Sequence, residues 1–260
     1  MKKIIVLLLV LLIFILTGCK SNQIARIGII SAMDNEIDLL LQEAKIDYVE
    51  NIGTVDYHVG TLHDKPVVIS KSGIGKVYAA SGATTMMNNY NISKIIFTGI
   101  AGGVSDETEI LDVVVATRLV EHDYGILTNN GFEWVSGDPG FSHVPGTYYE
   151  CDKDLVKLAY DSSVSVIGLN HSFKGVIATG DQFISSETYV QKLKDDYDAY
   201  ACEMEGASVA KICINYNIPY IVIRALSDKA DGNAHDSYEN FGDIAASNSS
   251  KIVLKMIESL

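Results

Sequence analysis

The stretch AYACEMEGASVAKICINYNIPYIVIRALSD, residues 199–228, decides the fold. Ala199 to Glu203 reads as a buried strand, the residues up to Asn217 as a helix, and Pro219 to Leu226 as a second apolar strand. Acids stand at both strand ends, in Glu203-Met204-Glu205 and in Ser227-Asp228. Near the N-terminus Met33-Asp34-Asn35-Glu36 likewise follows an apolar strand, Arg26 to Ser31. Ligands of α/β domains bind at strand ends, so the pattern collects Glu36, Glu205 and Asp228 around one pocket. Three carboxylates there suit hydrolysis through a cationic, sugar-like transition state. Singly, each acid also has a structural use: Glu36 and Glu205 sit where helices begin and favour the helix dipole, and Ser227-Asp228 can serve as an N-cap or turn pair.

Working outward, the same alternation continues. A helix is expected over Asp34 to Lys45, with Ile37, Leu40, Leu41 and Ala44 on one side. Tyr57 to Leu62 and Lys65 to Ser70 read as strands in hairpin pairing. Gly73-Ile74-Gly75-Lys76 turns the chain into a helix through Asn88, and Lys94 to Thr98 is a buried strand ending in a Gly99 to Gly103 turn. After a strand at Asp112 to Val120, the segment Glu121 to Glu150 shows no clear element, yet carries Phe132, Trp134, Phe141 and two prolines, the mark of a functional or interface loop. A helix from Asp152, a strand at Gly175 to Thr179, a helix from about Ser186 and a closing helix from about Ser237 to Leu260 complete the chain. The expected fold is a three-layer α/β/α domain with a mixed central sheet.

With 260 residues the chain suffices for one large domain. Its formal charge is −13, and loss of the leader lysines Lys2 and Lys3 takes it to −15, a surface that repels nucleic acid. Lys2-Lys3 followed by the unbroken apolar run Ile4 to Leu16 forms a signal-peptide core, too short for a comfortable membrane span. Leu16-Thr17-Gly18-Cys19 then resembles a bacterial lipobox, in which residues 1–18 are removed and Cys19 carries lipid. An uncut leader or a plain secretory signal are the alternatives. Residues 19–25 form the tether, and its six residues Lys20 to Ala25 reach at most about 21 Å. The folded domain spans 26–260, close to the outer face of a cell membrane or outer membrane. Cys151, Cys202 and Cys213 remain, an odd number, read as buried free thiols rather than a disulfide framework.

Other chemistries fit less well. Gly73 to Lys76 lacks the phosphate-loop spacing, and Gly99 to Gly103 lacks the dinucleotide spacing. His58, His63, His122, His143, His171 and His235 show no paired ligand spacing, so no metal site is expected. There is no Gly-x-Ser-x-Gly nucleophile elbow.

From Ile27 to Leu260 the chain resembles the 5′-methylthioadenosine/S-adenosylhomocysteine nucleosidases of the purine nucleoside phosphorylase superfamily. The matching strings are Ile27 to Glu36, Ser72 to Val77, Thr98 to Gly103, Ala178 to Ile184, Glu203 to Ala207 and Arg224 to Asp228. The resemblance implies a nucleoside phosphorylase-like fold, no cofactor and a homodimer in which the Glu121 to Glu150 segment closes over the neighbour's pocket. It implies Asp228 as general acid to the purine N7, oriented by Ser227, and Glu36 as the group that activates water. Glu205 binds the ribose hydroxyls, the Phe183 ring faces adenine and the Ile184 backbone meets the purine edge. Met33 and Met204 pack beside the sugar and its 5′ substituent, and Ile100, Ala101, Gly102 and Glu203 complete the substrate-binding set. Arg224 reads as structural. Ile100, Tyr78 and His122-Asp123-Tyr124-Gly125 depart from the family pattern, which leaves the 5′ preference open. Two other readings compete: a purine nucleoside phosphorylase, which needs cations for phosphate in a chain with only Arg26, Arg118 and Arg224 as arginines, and a non-catalytic lipoprotein that binds nucleosides or a host ligand.

Overall fold

The computed structural model describes residues 24–135 and 147–260. The signal-peptide and Cys19 lipidation readings, and Phe141 with both prolines of its loop, lie outside the described residues. In chain order the elements are β1 (Arg26–Ser31), α1 (Asp34–Glu43), β2 (Lys45–Ile52), β3 (Val55–Leu62), β4 (Lys65–Lys71), α2 (Lys76–Asn89), β5 (Ile92–Gly103) and β6 (Val113–Glu121). Then follow β7 (Gly125–Thr128), β8 (Gly131–Trp134), β9 (Tyr149–Glu150), α3 (Lys153–Ile167), β10 (Ser172–Thr179), α4 (Glu187–Tyr197), β11 (Ala199–Glu203), α5 (Gly206–Tyr216), β12 (Tyr220–Asp228) and α6 (Ala234–Ser259).

The central strands are apolar because the sheet is covered on both faces; all nine residues of β12 are buried. α6 packs on β12 and β5 and against α1 and α3, while α2 and α5 pack together in the other helical layer. The mixed sheet runs β11-β10-β6-β12-β5-β1-β4-β3-β2, and β11 also returns to pair with β5. β1 is parallel to β4 and β5, and β12 is parallel to β5 but antiparallel to β6. The return pairing closes five strands into a ring. It also places Gly102 of β5 between Cys202 on one side and Asp228 on the other. The acid-bearing ends of β11 and β12 are neighbours for this reason, although the strands arrive from different parts of the sheet.

Three local expectations are corrected. Gly99 to Gly103 is the continuation of β5 rather than a turn into a helix. Glycine is required there by close approach: a Cβ on Gly99 would lie 2.2 Å from Arg224 Nη1 and 2.4 Å from Glu36 Oε1. Secondly, helix α1 stops at Glu43, and residues from Lys45 form an edge strand, β2, whose exposed Lys45, Asp47 and Glu50 protect the sheet edge. Thirdly, the segment after Glu121 contains the β7–β8 hairpin, closed by the Asn129-Asn130 pair before Gly131, and the short β9, which pairs with β6. The anticipated antiparallel pairing of β3 with β4 is observed, and Cys151, Cys202 and Cys213 are buried free thiols whose ionisation burial disfavours.

Candidate active site

Glu36 lies at the third position of α1 rather than at a strand end. Its Oε2 accepts the N–H groups of Ala32 and Met33, both at 2.9 Å, and its Oε1 accepts that of Ile100 at 2.8 Å. The helix start and strand β5 thus fix one carboxylate from two sides. Burial raises its pKa, against the opposing pull of Arg224 and the three amides.

Glu205 occupies the N-cap position of α5, but its side chain does not cap that helix. Its Oε1 instead accepts the Gly75 N–H at 2.8 Å, and its Oε2 lies 3.3 Å from Arg224 Nη2. Burial pushes its pKa up to about 7, with Arg224 pulling down and Glu203 pushing up. Glu36 therefore satisfies a group of β5 as well as its own helix start, and Glu205 satisfies groups from other segments, so a dipole role alone does not account for either.

Asp228 is the last residue of β12. Oδ1 accepts the Ala230 N–H at 2.7 Å, and Oδ2 accepts the Ser227 hydroxyl at 2.8 Å. The turn-pair reading is correct for its backbone partner, and the serine orients the carboxyl as expected. Burial raises the Asp228 pKa, with the Ser227 and Ala230 hydrogen bonds opposing.

Arg224 is fully buried on β12, bonded to Glu203 and Glu205 and stacked 4.4 Å from the Phe97 ring centroid. It is structural, as read, but it is also the cation that compensates the carboxylates of the site. Glu203 lines the cavity, yet its oxygens are engaged by Thr179, Arg224 and the N–H groups of Glu205 and Gly206. Its place in the site is to hold Arg224 and the start of α5.

A cavity of about 250 Å³ opens over these groups. It is lined by every pocket residue the sequence proposed: Met33, Glu36, Ile100, Ala101, Gly102, Phe183, Ile184, Glu203, Met204, Glu205, Ser227 and Asp228. Sequence reasoning missed Ala32, Ile74, Gln182, Cys202, His235 and Tyr238, which also line it. Gln182 and Ile74 stand inside strings already singled out. His235 lies in the helical turn that the expected start at Ser237 left out, whereas Tyr238 stood inside the expected helix without a pocket signal; Phe183 and Tyr238 meet edge to face, ring centroids 6.5 Å apart.

The rim is tied by a triangle of three loops. Lys76 Nζ donates to Asp123 Oδ1 at 2.7 Å, the Asp181 N–H to Asp123 Oδ2 at 2.8 Å, and the Lys76 N–H to Asp181 Oδ1 at 2.8 Å. Burial works against the Lys76 charge, but Asp123 and Glu121 outweigh it and hold the ammonium protonated. The Gly73 to Lys76 turn, with both glycines at positive φ, thereby aims the Gly75 N–H at Glu205.

A ringed mixed sheet between helical layers, with buried acids around one pocket at the strand ends, has clear counterparts. The phosphorylase superfamily model matches residues 26–258. The 5′-methylthioadenosine/S-adenosylhomocysteine nucleosidase of Bacillus cereus strain B4264 is 36% identical over 242 residues, covering 90% of this chain and 99% of the relative. Among solved structures, the nucleosidase of that name from Neisseria meningitidis, bound to methylthio-immucillin-A, superposes with a TM-score of 0.82 at 30% identity, over 91% of this chain and all of the other. A futalosine hydrolase from Helicobacter pylori gives 0.81 at 33% identity, over 91% and 99%. The chain belongs to the phosphorylase superfamily and, within it, to the family of the 5′-methylthioadenosine/S-adenosylhomocysteine nucleosidases.

Proposed function

We propose that this protein hydrolyses the N-glycosidic bond of 5′-methylthioadenosine, S-adenosylhomocysteine or both, releasing adenine and the free thio-sugar. The convergence of Glu36, Glu205 and Asp228 on one cavity beside Phe183 carries the reading. Adenine leaves poorly as an anion, and Asp228, its pKa raised by burial, supplies a proton to N7 as the C1′–N9 bond breaks. Glu36 orients and activates water toward C1′. Its three amide donors and Arg224 favour the ionised form that this role requires. Glu205 holds the ribose hydroxyls, and the carboxylates stabilise positive charge on the sugar ring. Phe183 stacks on the base, the Ile184 backbone meets the purine edge, and Met33, Met204 and the Ile100 to Gly102 strand enclose the sugar.

A phosphorylase would need cations for its phosphate. Among the described residues no Lys or Arg lines the cavity, and Arg224 behind it is taken by Glu203 and Glu205. With Arg224 already engaged, a phosphate would meet the pocket carboxylates at close range with no cation of its own. A retired binding protein has no use for a water-activating acid. The test is incubation of the domain from Lys20 with methylthioadenosine, S-adenosylhomocysteine, adenosine and inosine, with and without phosphate. Phosphate-independent release of adenine supports hydrolysis; a sugar 1-phosphate as main product assigns the chain to the phosphorylases.

The same proposal places the mature protein, from lipidated Cys19, on an extracytoplasmic membrane face as a homodimer. Support for the dimer comes from exposed Ile74, Val77 and Tyr78 beside the cavity, the last two 77% and 60% accessible. Support for the anchor comes from the lipobox-like string and from the direction of β1, which starts at Arg26 and ends at Ser31 beside the site. The described chain thus enters the domain at the end of β1 away from the pocket. Cys19→Ala should abolish lipid labelling; an unlabelled wild-type protein in the cytosol with Met1 intact excludes the anchor, and a fully active monomer by light scattering excludes the functional dimer.

A further inference from the structure

The Tyr238 side chain carries a donor that the chemistry above does not use. It projects from the first turns of α6 into the cavity, its ring edge-on to Phe183. Its hydroxyl is 3.8 Å from Met33 Sδ, the partner the structure gives it. Tyr238 is partly buried, and its hydroxyl faces a thioether sulfur, a weak acceptor, where an oxygen or nitrogen would be the ordinary partner of a tyrosine packed by its ring. Burial, then the nearby Glu36 and Asp243 carboxylates, keep the phenol protonated and therefore a donor.

Its position identifies what the donor faces. In the proposed function, on which this inference rests, the base lies toward Asp228 and Phe183, the sugar hydroxyls toward Glu205 and C1′ toward Glu36. The remaining side of the sugar, which bears C5′, faces Met33 and Tyr238. A 5′-methylthio group brings another thioether sulfur to that spot and adds no better acceptor than Met33 already offers. An oxygen on C5′ is a full-strength acceptor. We propose that Tyr238 is a specificity-determining residue that hydrogen-bonds a 5′ oxygen, so that the same site also hydrolyses adenine nucleosides with a 5′-hydroxyl, adenosine being the simplest. The reaction balances as before: water adds to C1′, the C1′–N9 electron pair passes to adenine, Asp228 protonates the ring, and ribose is released in place of the thio-sugar.

The experiment compares kcat/KM for adenosine and for methylthioadenosine in the wild type and in Tyr238→Phe. The expected result is measurable adenosine cleavage by the wild type and an adenosine-to-methylthioadenosine ratio that falls about three- to tenfold in the variant, the size of one neutral hydrogen bond. Equal changes in both substrates would make Tyr238 a packing residue and overturn the inference. So would a wild type that cleaves methylthioadenosine but not adenosine. Failure to cleave any nucleoside defeats the proposed hydrolase itself, a distinct outcome. Should Tyr238→Phe turn over too slowly, the two ligands' dissociation constants in the Asp228→Asn background, with and without Tyr238→Phe, give the same ratio by calorimetry.

Discussion

Asp228, Glu36 and Arg224 show how single residues divide the work. Asp228→Asn keeps the shape and the Ser227 contact but removes the proton, so kcat should fall by roughly 10²–10⁴-fold, with binding less affected. Glu36→Gln should be similarly severe; near-normal turnover in either variant would remove that residue from the mechanism. Both acids carry pKa values raised by burial. Activity should decline as rising pH strips Asp228 of its proton and as falling pH protonates Glu36, giving a bell-shaped kcat/KM profile. Glu36→Gln should remove the acid limb. Arg224→Met leaves Glu203 and Glu205 without their buried cation, which should cost about 3–5 kcal/mol of stability at neutral pH by denaturant unfolding. The deficit should shrink in acid, because the stranded carboxylates then take up protons. The pocket acids were legible in the sequence because they sit in short strings of characteristic order. The compensating role of Arg224 was not, since an arginine in an apolar strand shows its charge but not which distant carboxylates turn toward it.

Among the elements, long β5 contributes most to the geometry. Its Gly99 leaves the space a Cβ would fill to Glu36 and Arg224, so Gly99→Ala should displace both. A loss of about 1–3 kcal/mol, the range for overpacking a tight core, should accompany a fall in activity, read by thermal unfolding and by turnover. A fully stable and active Gly99→Ala protein would show that this contact can relax freely. The major strands and helices were legible from apolar runs and turn residues. The end of β5 was not, because a glycine-rich string after an apolar strand has the same local signature whether the chain turns or continues, and the return pairing with β11 decides between them. β2 escaped because its exposed, charged residues lack the alternation of a half-buried strand. The β7–β8 hairpin escaped because its strands are four residues each, although Asn129-Asn130-Gly131 carried a turn signal.

For the molecule as a whole, ring closure of the sheet unites what the sequence presents as separate strings. Acids drawn from α1, the α5 start and β12 meet because β5 lies between β11 and β12 at Gly102. The layered α/β class followed from the alternation of elements; ring closure did not, because it depends on long-range pairing that leaves no periodic trace. The net charge of −13 likewise fits a small-molecule enzyme better than a nucleic-acid binder. Water as the acceptor of the sugar is the central claim, and single-turnover reaction of the soluble domain with methylthioadenosine in ¹⁸O-enriched water containing excess phosphate tests it most directly by mass spectrometry. Hydrolysis at this site requires free methylthioribose carrying one ¹⁸O, formed at a rate indifferent to phosphate; methylthioribose 1-phosphate, or a rate that rises with phosphate, would contradict it.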